Sequence, residues 1–225
     1  RIEVVRILAE LTEGMSQGEV HQLMRKGDVG LSEEDYLEII RRKTALLFQA
    51  ACRVSAVLAN APEERQSALG EFGFNLGMAF QIVDDLLDYE AETPQLGKEP
   101  GADLREGKLT LPLIHALRSA RSADRKWLKA LVRNKEFSAE DFQNLFGMMR
   151  DCGALRYARK VASLYVDKAK AAFMRLVTHE LQAPIAAIVS YLRLILDGFV
   201  GPEDQRPMLE RAEARAHEQM SLIAD

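Results

Sequence analysis

The chain reads as an all-α protein. Apolar residues recur at helical spacing through most segments, helix-start and helix-stop residues punctuate them, and alternating β-branched runs are missing. Its 225 residues, 48% hydrophobic with 14 Gly and 7 Pro, are enough to bury a full core. No strand is expected. The longest apolar run, Ile185 to Leu196, is broken by Arg193 and too short to cross a bilayer, and no secretory signal is visible. A cytoplasmic location is therefore the default expectation. A formal net charge of −4 argues against a nucleic-acid partner. Cys52 and Cys152 read as small buried hydrophobes in a reducing compartment rather than as a disulfide.

A helix is under way from the first residues: Ile2, Val5, Leu8, Ala9 and Leu11 keep helical spacing with no initiator Met and no cap before them. His21 belongs to the helical stretch Gly18 to Leu23. Ser32-Glu33-Glu34-Asp35 has the form of a capping box, and the helix it opens carries Tyr36, Ile40, Leu47 and Ala50 on one stripe with Lys43 in its middle. A lysine on an apolar face either snorkels to water along its own stem or meets an anion. Thr44-Ala45 after it and the aspartates downstream favour the anion.

The next helix concentrates chemistry. At about 100° per residue, Gly73, Gly77, Gln81, Asp84 and Asp88 fall on one stripe, with Phe72, Leu76, Phe80, Val83 and Leu87 beside it. The apolar stripe is expected to pack and its neighbour to open onto a cavity. Each helical glycine costs roughly 1 kcal/mol against alanine, so Gly73 and Gly77 imply that something bulky approaches the backbone there. After Asp84-Asp85-Leu86-Leu87-Asp88 come Leu96-Gly97-Lys98, Gly101-Ala102-Asp103-Leu104 and Gly107-Lys108-Leu109-Thr110, clustered carboxylates and isolated lysines around a glycine-rich turn. That is chemistry for a magnesium-bridged diphosphate, because Mg²⁺ takes hard oxygen ligands, keeps several waters and is usually shared with substrate phosphates. Ser119 to Asp124 and Asn134 to Glu140 read as surface loops between helices. His21, His115 and His217 read as structural or solvated and form no metal triad.

This block resembles the second aspartate-rich motif of the trans-polyprenyl diphosphate synthases. Gly18-Glu19 with Gln22, Tyr36 to Ile40 followed by Lys43-Thr44-Ala45, and Gly97-Lys98 with Asp103-Leu104 look like the same family in order and spacing, over about residues 1 to 172 and closest to its octaprenyl-type branch. The resemblance implies the C-terminal half of an isoprenoid-synthase helical bundle that transfers a prenyl group from an allylic diphosphate to isopentenyl diphosphate. It also implies Mg²⁺, with Asp84 a direct ligand and Asp85 and Asp88 completing or orienting the metal's water shell. Lys43 and Lys98 would neutralise diphosphate oxygens, with Lys108 a weaker candidate, and Thr44 and Gln81 would line the pocket near the reacting carbon. Only one DDxxD is present, so the chain reads as a half lacking the first motif, expected to bind diphosphate poorly and ionise it hardly at all by itself.

Composition shifts near residue 173. From Met174 to Asp225 there is no lysine, and five arginines stand against eight carboxylates. Thr178-His179-Glu180-Leu181 with Pro184 is similar to the H-box of the dimerisation and phosphoacceptor domain of sensor histidine kinases. The resemblance implies His179 as the nucleophile toward a nucleotide γ-phosphate and Glu180 as its base. Pro184 would bend the helix. Leu181, Ile185, Ile188, Leu192, Ile195 and Phe199 would supply a buried face, Asp197-Gly198 and Gly201-Pro202 the turn, and Pro207 to Ala224 a return helix. Residues 173 to 225 then form a two-helix hairpin, half of a four-helix homodimer bundle that accepts phosphate from a histidine kinase catalytic domain and passes it to a response regulator. Ala183, where many relatives carry Thr or Asn, puts phosphatase activity in doubt. No linker separates the two parts around Tyr165 to Phe173, which suggests a fusion or chimeric assembly. The alternative to prenyl transfer is thus a phosphorelay module.

Overall fold

The computed structural model describes residues 1–90, 101–134 and 137–224, leaving out the side chains of 179, 180, 183 and 221–224. Among the described residues every regular element is helical. The helices are α1 (Ile2–Met24), α2 (Glu33–Ile40), α3 (Leu46–Leu58), α4 (Glu63–Glu90), α5 (Ala102–Arg105), α6 (Leu111–Ser119), α7 (Ser122–Asn134), α8 (Ala139–Asp151), α9 (Ala154–Leu196) and α10 (Pro202–Ala224). The chain divides into two compact units, Arg1–Ala172 and Phe173–Asp225.

Local sequence explains the starts and stops in the first unit. Ser32 caps α2, its hydroxyl accepting the Asp35 N–H at 3.0 Å, and Ser138 caps α8 with a full capping box to Asp141. Pro112 sits in the first turn of α6, where its missing N–H costs nothing. The loop expected over Ser119 to Asp124 shrinks to Ala120–Arg121, because α7 already begins at Ser122. The main core draws Met78, Ile82, Leu104, Leu111, Leu113, Ile114, Leu128 and Leu145 from α4 through α8.

Two readings of helix faces are corrected. α4 buries its glycines, not its apolar stripe: Gly70, Gly73 and Gly77 are buried, while Phe80 is 53% exposed and Leu76, Val83 and Leu87 are exposed with it. The bulky neighbour is α3 at Gly73 and the start of α3 with the residue before it, Ala45, at Gly77. A Cβ on Gly73 would lie 2.5 Å from the Phe48 carbonyl oxygen, and one on Gly77 2.7 Å from Ala45 Cα. Glycine scores as weakly apolar, so a stripe that packs backbone against backbone looks like an open face when read by hydropathy.

The second correction concerns the stripe Tyr36, Ile40, Leu47 and Ala50. Tyr36, Ile40 and Ala50 are buried, but Leu47 is exposed and Ala45 takes its place. The cause is a π-helical turn, Arg41–Ala45, between α2 and α3. One surplus residue in a turn rotates the helix beyond it out of α-helical register. α1 lies close to this turn, since a Cβ on Gly18 would sit 2.8 Å from Arg42 Cβ and 2.9 Å from the Lys43 nitrogen.

In the second unit, α9 continues from Phe173 to Leu196 with Pro184 inside it. Gly198 turns the chain at φ 73°, and α10 starts at Pro202, five residues before the expected return helix, with proline as its first helical residue. The face expected to be buried is only partly so. Leu181, Ile188 and Ile195 are half-buried, whereas Ile185, Leu192 and Phe199 are exposed. Two helices of a hairpin cover one stripe between them and leave the flanking one to water.

Candidate functional site

Of the predicted residues of the first unit, Lys43 and Thr44 lie on the π-helical turn, where they reach α1 and α4, and Gln81, Asp84, Asp85 and Asp88 lie on α4. The surplus residue sends consecutive side chains to different neighbours. Lys43 reaches α1, its ammonium 2.8 Å from Glu19 Oε2 and donating to Gln22 Oε1 at 2.7 Å. Thr44 turns to α4 and donates to Gln81 Oε1 at 2.7 Å.

The three aspartates occupy different environments within about one helical turn. Asp84 is exposed and, among the described residues, receives a long bond from Gln81 Nε2, 3.4 Å. Asp85 is buried, accepting Tyr36 Oη at 2.7 Å on one oxygen and Gln81 Nε2 at 2.9 Å on the other. Burial pushes the Asp85 carboxyl up to about 7, against those two bonds, which favour its charged form. Asp88 is half-buried and accepts the Ala102 and Asp103 N–H groups, each at 3.1 Å. Burial and the nearby Asp103 charge raise its carboxyl as well.

Asp88 thereby ties α4 to the turn beyond it. Gly101 adopts φ 80°, and a Cβ there would meet the Phe142 ring at 2.7 Å, so only glycine fits. Lys108 lies between Asp103 and Glu106, 2.9 Å from each. Partial burial works against its ammonium, and the two carboxylates overcome that and raise its pKa. Tyr89 shares a 2.8 Å hydrogen bond with Thr110. Lys98 lies outside the described residues.

Hydropathy missed Tyr36 as a polar member of this group, placing it on an apolar stripe. The signal that could have found it was the residue type, since a buried tyrosine needs a partner for its hydroxyl. Of the histidines, His115 stacks on Tyr157 with ring centroids 4.3 Å apart, and His217 is exposed 4.0 Å from Glu213. Cys52 and Cys152 are free thiols, half-buried. A cleft lined by Glu34, Glu38, Arg41, Phe74 and Arg118 involves none of the predicted site residues. His179 and Glu180 lie on α9 in the second unit, their side chains outside the described ones.

This pattern of one open and two engaged aspartates, with Thr44 and Gln81 joined above them, falls in a stretch with a known family behind it. Residues 1–149 match the family model described as Polyprenyl synthetase. The chain belongs to the polyprenyl synthetase family. It is 38% identical over 171 residues to the octaprenyl diphosphate synthase of Escherichia coli, covering 76% of this chain and 53% of that protein. With component 2 of the heptaprenyl diphosphate synthase of Bacillus subtilis it shares 32% identity over 187 residues, 83% of this chain and 53% of the relative. A polyprenyl synthase from Caulobacter crescentus, solved in complex with calcium and isoprenyl diphosphate, superposes with a TM-score of 0.74 at 40% identity, over 78% of this chain and 53% of that one. This polyprenyl synthetase chain thus spans about half the length of the curated relatives it matches. Residues 169–225 match a second model, the His Kinase A (phospho-acceptor) domain. No helix among the described residues is long and apolar enough to cross a membrane.

Proposed function

We propose that residues 1–172 act as the part of a prenyltransferase that grips the diphosphate of an allylic substrate through Mg²⁺, and that residues 173–225 form a separate phosphoacceptor hairpin. The observation that carries the first reading is Asp84, an exposed carboxylate held beside Gln81, which in turn accepts Thr44. Among the described residues no three His, Cys, Asp or Glu side chains form a metal cage by themselves. Mg²⁺ typically uses one or two carboxylates and fills its shell with water and phosphate oxygens, a demand that Asp84 can meet. When bound, the ion would supply positive charge to the diphosphate leaving group.

The chain's own residues then have distinct tasks. Asp84 offers the ligand oxygen, and Asp88 fixes the approach of the Ala102–Asp103 turn. Lys43 and Lys98 bind diphosphate oxygens. Lys43 is held by the exposed Glu19, which an incoming diphosphate outbids by charge. Lys108, already matched by two carboxylates, serves the site as scaffold before it serves as ligand. Thr44 and Gln81 face the reacting carbon, where the carbon–oxygen bond breaks, the diphosphate leaves with the electron pair, the double bond of isopentenyl diphosphate attacks, and the cation so formed loses a proton to give the new double bond. Free thiols at Cys52 and Cys152 accord with a cytoplasmic setting.

Calorimetry of pyrophosphate with Mg²⁺ tests this reading. Binding is expected only with the metal, and Asp84→Ala or Lys98→Ala should weaken it at least tenfold, about 1.4 kcal/mol. Unchanged affinity in both variants would reject the site.

The match of residues 169–225 supports the second reading. His179 attacks the γ-phosphate while Glu180 takes its proton, with the nucleotide and kinase catalytic domain supplied by a partner and a response regulator receiving the phosphoryl group. An acid-labile label is expected on the chain when that domain and ATP are added. It should be lost in His179→Gln and reduced in Glu180→Gln, and persistence in His179→Gln would dismiss the reading.

A further inference from the structure

Behind the aspartates runs a line of hydrogen bonds that crosses three elements. Tyr36 on α2 and Asp85 on α4 are 49 residues apart in sequence, 3% and 5% exposed, and joined at 2.7 Å. The other Asp85 oxygen takes Gln81 Nε2 at 2.9 Å. That nitrogen also points toward Asp84 Oδ2 at 3.4 Å, and the Gln81 oxygen receives Thr44 at 2.7 Å. With Asp85 ionised, the direction of each bond follows from its partners. A phenol can only donate to a carboxylate, so Asp85 is an acceptor at both ends, and the Gln81 amide must face it with nitrogen. With its nitrogen on the aspartate side, Gln81 presents a donor to Asp84 and an acceptor to Thr44. Asp85 has both oxygens engaged and almost no surface, so of these two neighbours Asp84 is the one placed to reach an ion.

We propose that Tyr36 is a positioning residue for the metal-binding carboxylate: by anchoring Asp85 it fixes the Gln81 amide, and the amide holds Asp84 turned toward the cation and its diphosphate. The proposal rests on the reading of Asp84 as a metal ligand. Removing only the phenol oxygen keeps the ring that fills the core, yet it frees one end of the line. Asp85 and Gln81 then gain alternative arrangements, and Asp84 must be ordered at the moment the ion binds.

The test uses the full chain, Tyr36→Phe, Asp84→Ala, Asp85→Asn and the Tyr36→Phe/Asp85→Asn double variant. Each is titrated with Mn²⁺ in the presence of pyrophosphate, with free Mn²⁺ read by electron paramagnetic resonance, and melted in EDTA. Tyr36→Phe should weaken Mn²⁺ binding about three- to tenfold while its metal-free melting curve stays near that of the parent. In the Asp85→Asn background, where the amide no longer demands the same Gln81 orientation, adding Tyr36→Phe should change affinity little. Parent-like Mn²⁺ affinity in Tyr36→Phe, with binding abolished in Asp84→Ala, would overturn the positioning role and leave the metal reading standing. A Tyr36→Phe loss that is fully retained in the Asp85→Asn background, or that comes with an equal collapse of the melting curve, would mark Tyr36 as structural only. Binding that survives Asp84→Ala, or no saturable site in the parent, would overturn the metal reading and this proposal together.

Discussion

Glu38 carries two guanidinium groups on one carboxylate. Arg41 donates to it through Nε at 2.6 Å and Nη2 at 2.8 Å, and Arg42 joins through its own Nε. The Arg41 hydrogen bonds, with help from Arg42, hold the Glu38 carboxyl down to about 2 from an ordinary 4.5. A folded-state value below the unfolded one means stability that is whole above about 4.5 and is lost as the pH falls toward 2. Glu38→Gln is therefore expected to be less stable than the parent in urea melts at pH 7 and to match it near pH 2. A gap of the same size at both values would argue that the loss is one of packing. The side chain is about one-third exposed, so the effect belongs at the modest end for ion pairs. The sequence marked Lys43 as a lysine that meets an anion, and in the structure it pairs with Glu19. The partner of Tyr36 was not legible, because nothing local says which carboxylate 49 residues later will meet its hydroxyl.

Helix faces were harder to read than helix positions. The capping signal at Ser32 and the proline at α6 gave their starts directly. The α4 faces were inverted, since periodicity marks an apolar face without saying that its cover belongs to the same stretch of chain, and glycines hide a contact made by backbone. The α3–α4 contact makes a sharp forecast. Gly77→Ala gains about 1 kcal/mol of helix propensity but drives a methyl group toward Ala45 Cα, an overpacking that costs about 1–3 kcal/mol, so net destabilisation is expected in denaturant melts. Gly147, on α8, has nothing within 4 Å of its would-be Cβ, and Gly147→Ala should stabilise by up to about 1 kcal/mol. Equal shifts in the two variants would mean that propensity alone decides and that α3 and α4 approach each other less closely than those distances require.

At the scale of the whole molecule, two family matches follow one another, over residues 1–149 and 169–225, and every regular element among the described residues is helical. The all-α class was legible because it follows from composition and period together. The fate of the hairpin's apolar face was not, because Ile185, Leu192 and Phe199 await a surface that one hairpin cannot provide. Pairing with a second copy would cover them. Sedimentation is expected to find a concentration-dependent dimer in the parent and a monomer in Ile185→Asp/Leu192→Asp, with helicity kept. An unchanged dimer in that variant would move the interface elsewhere.

The π-helical turn has a consequence for the gene as much as for the protein. Arg41–Ala45 is a helix with one residue to spare, so losing a single codon there yields an ordinary α-helix rather than a broken one. The helices on either side would keep nearly the same relative orientation, because the wide turn already absorbs the extra residue, but the side chains within the turn would shift by one position. Lys43 and Thr44 would then no longer both stand where they meet α1 and α4. Such a deletant would show full helical circular dichroism and an empty site, a lesion that screens for expression or foldedness would pass unseen.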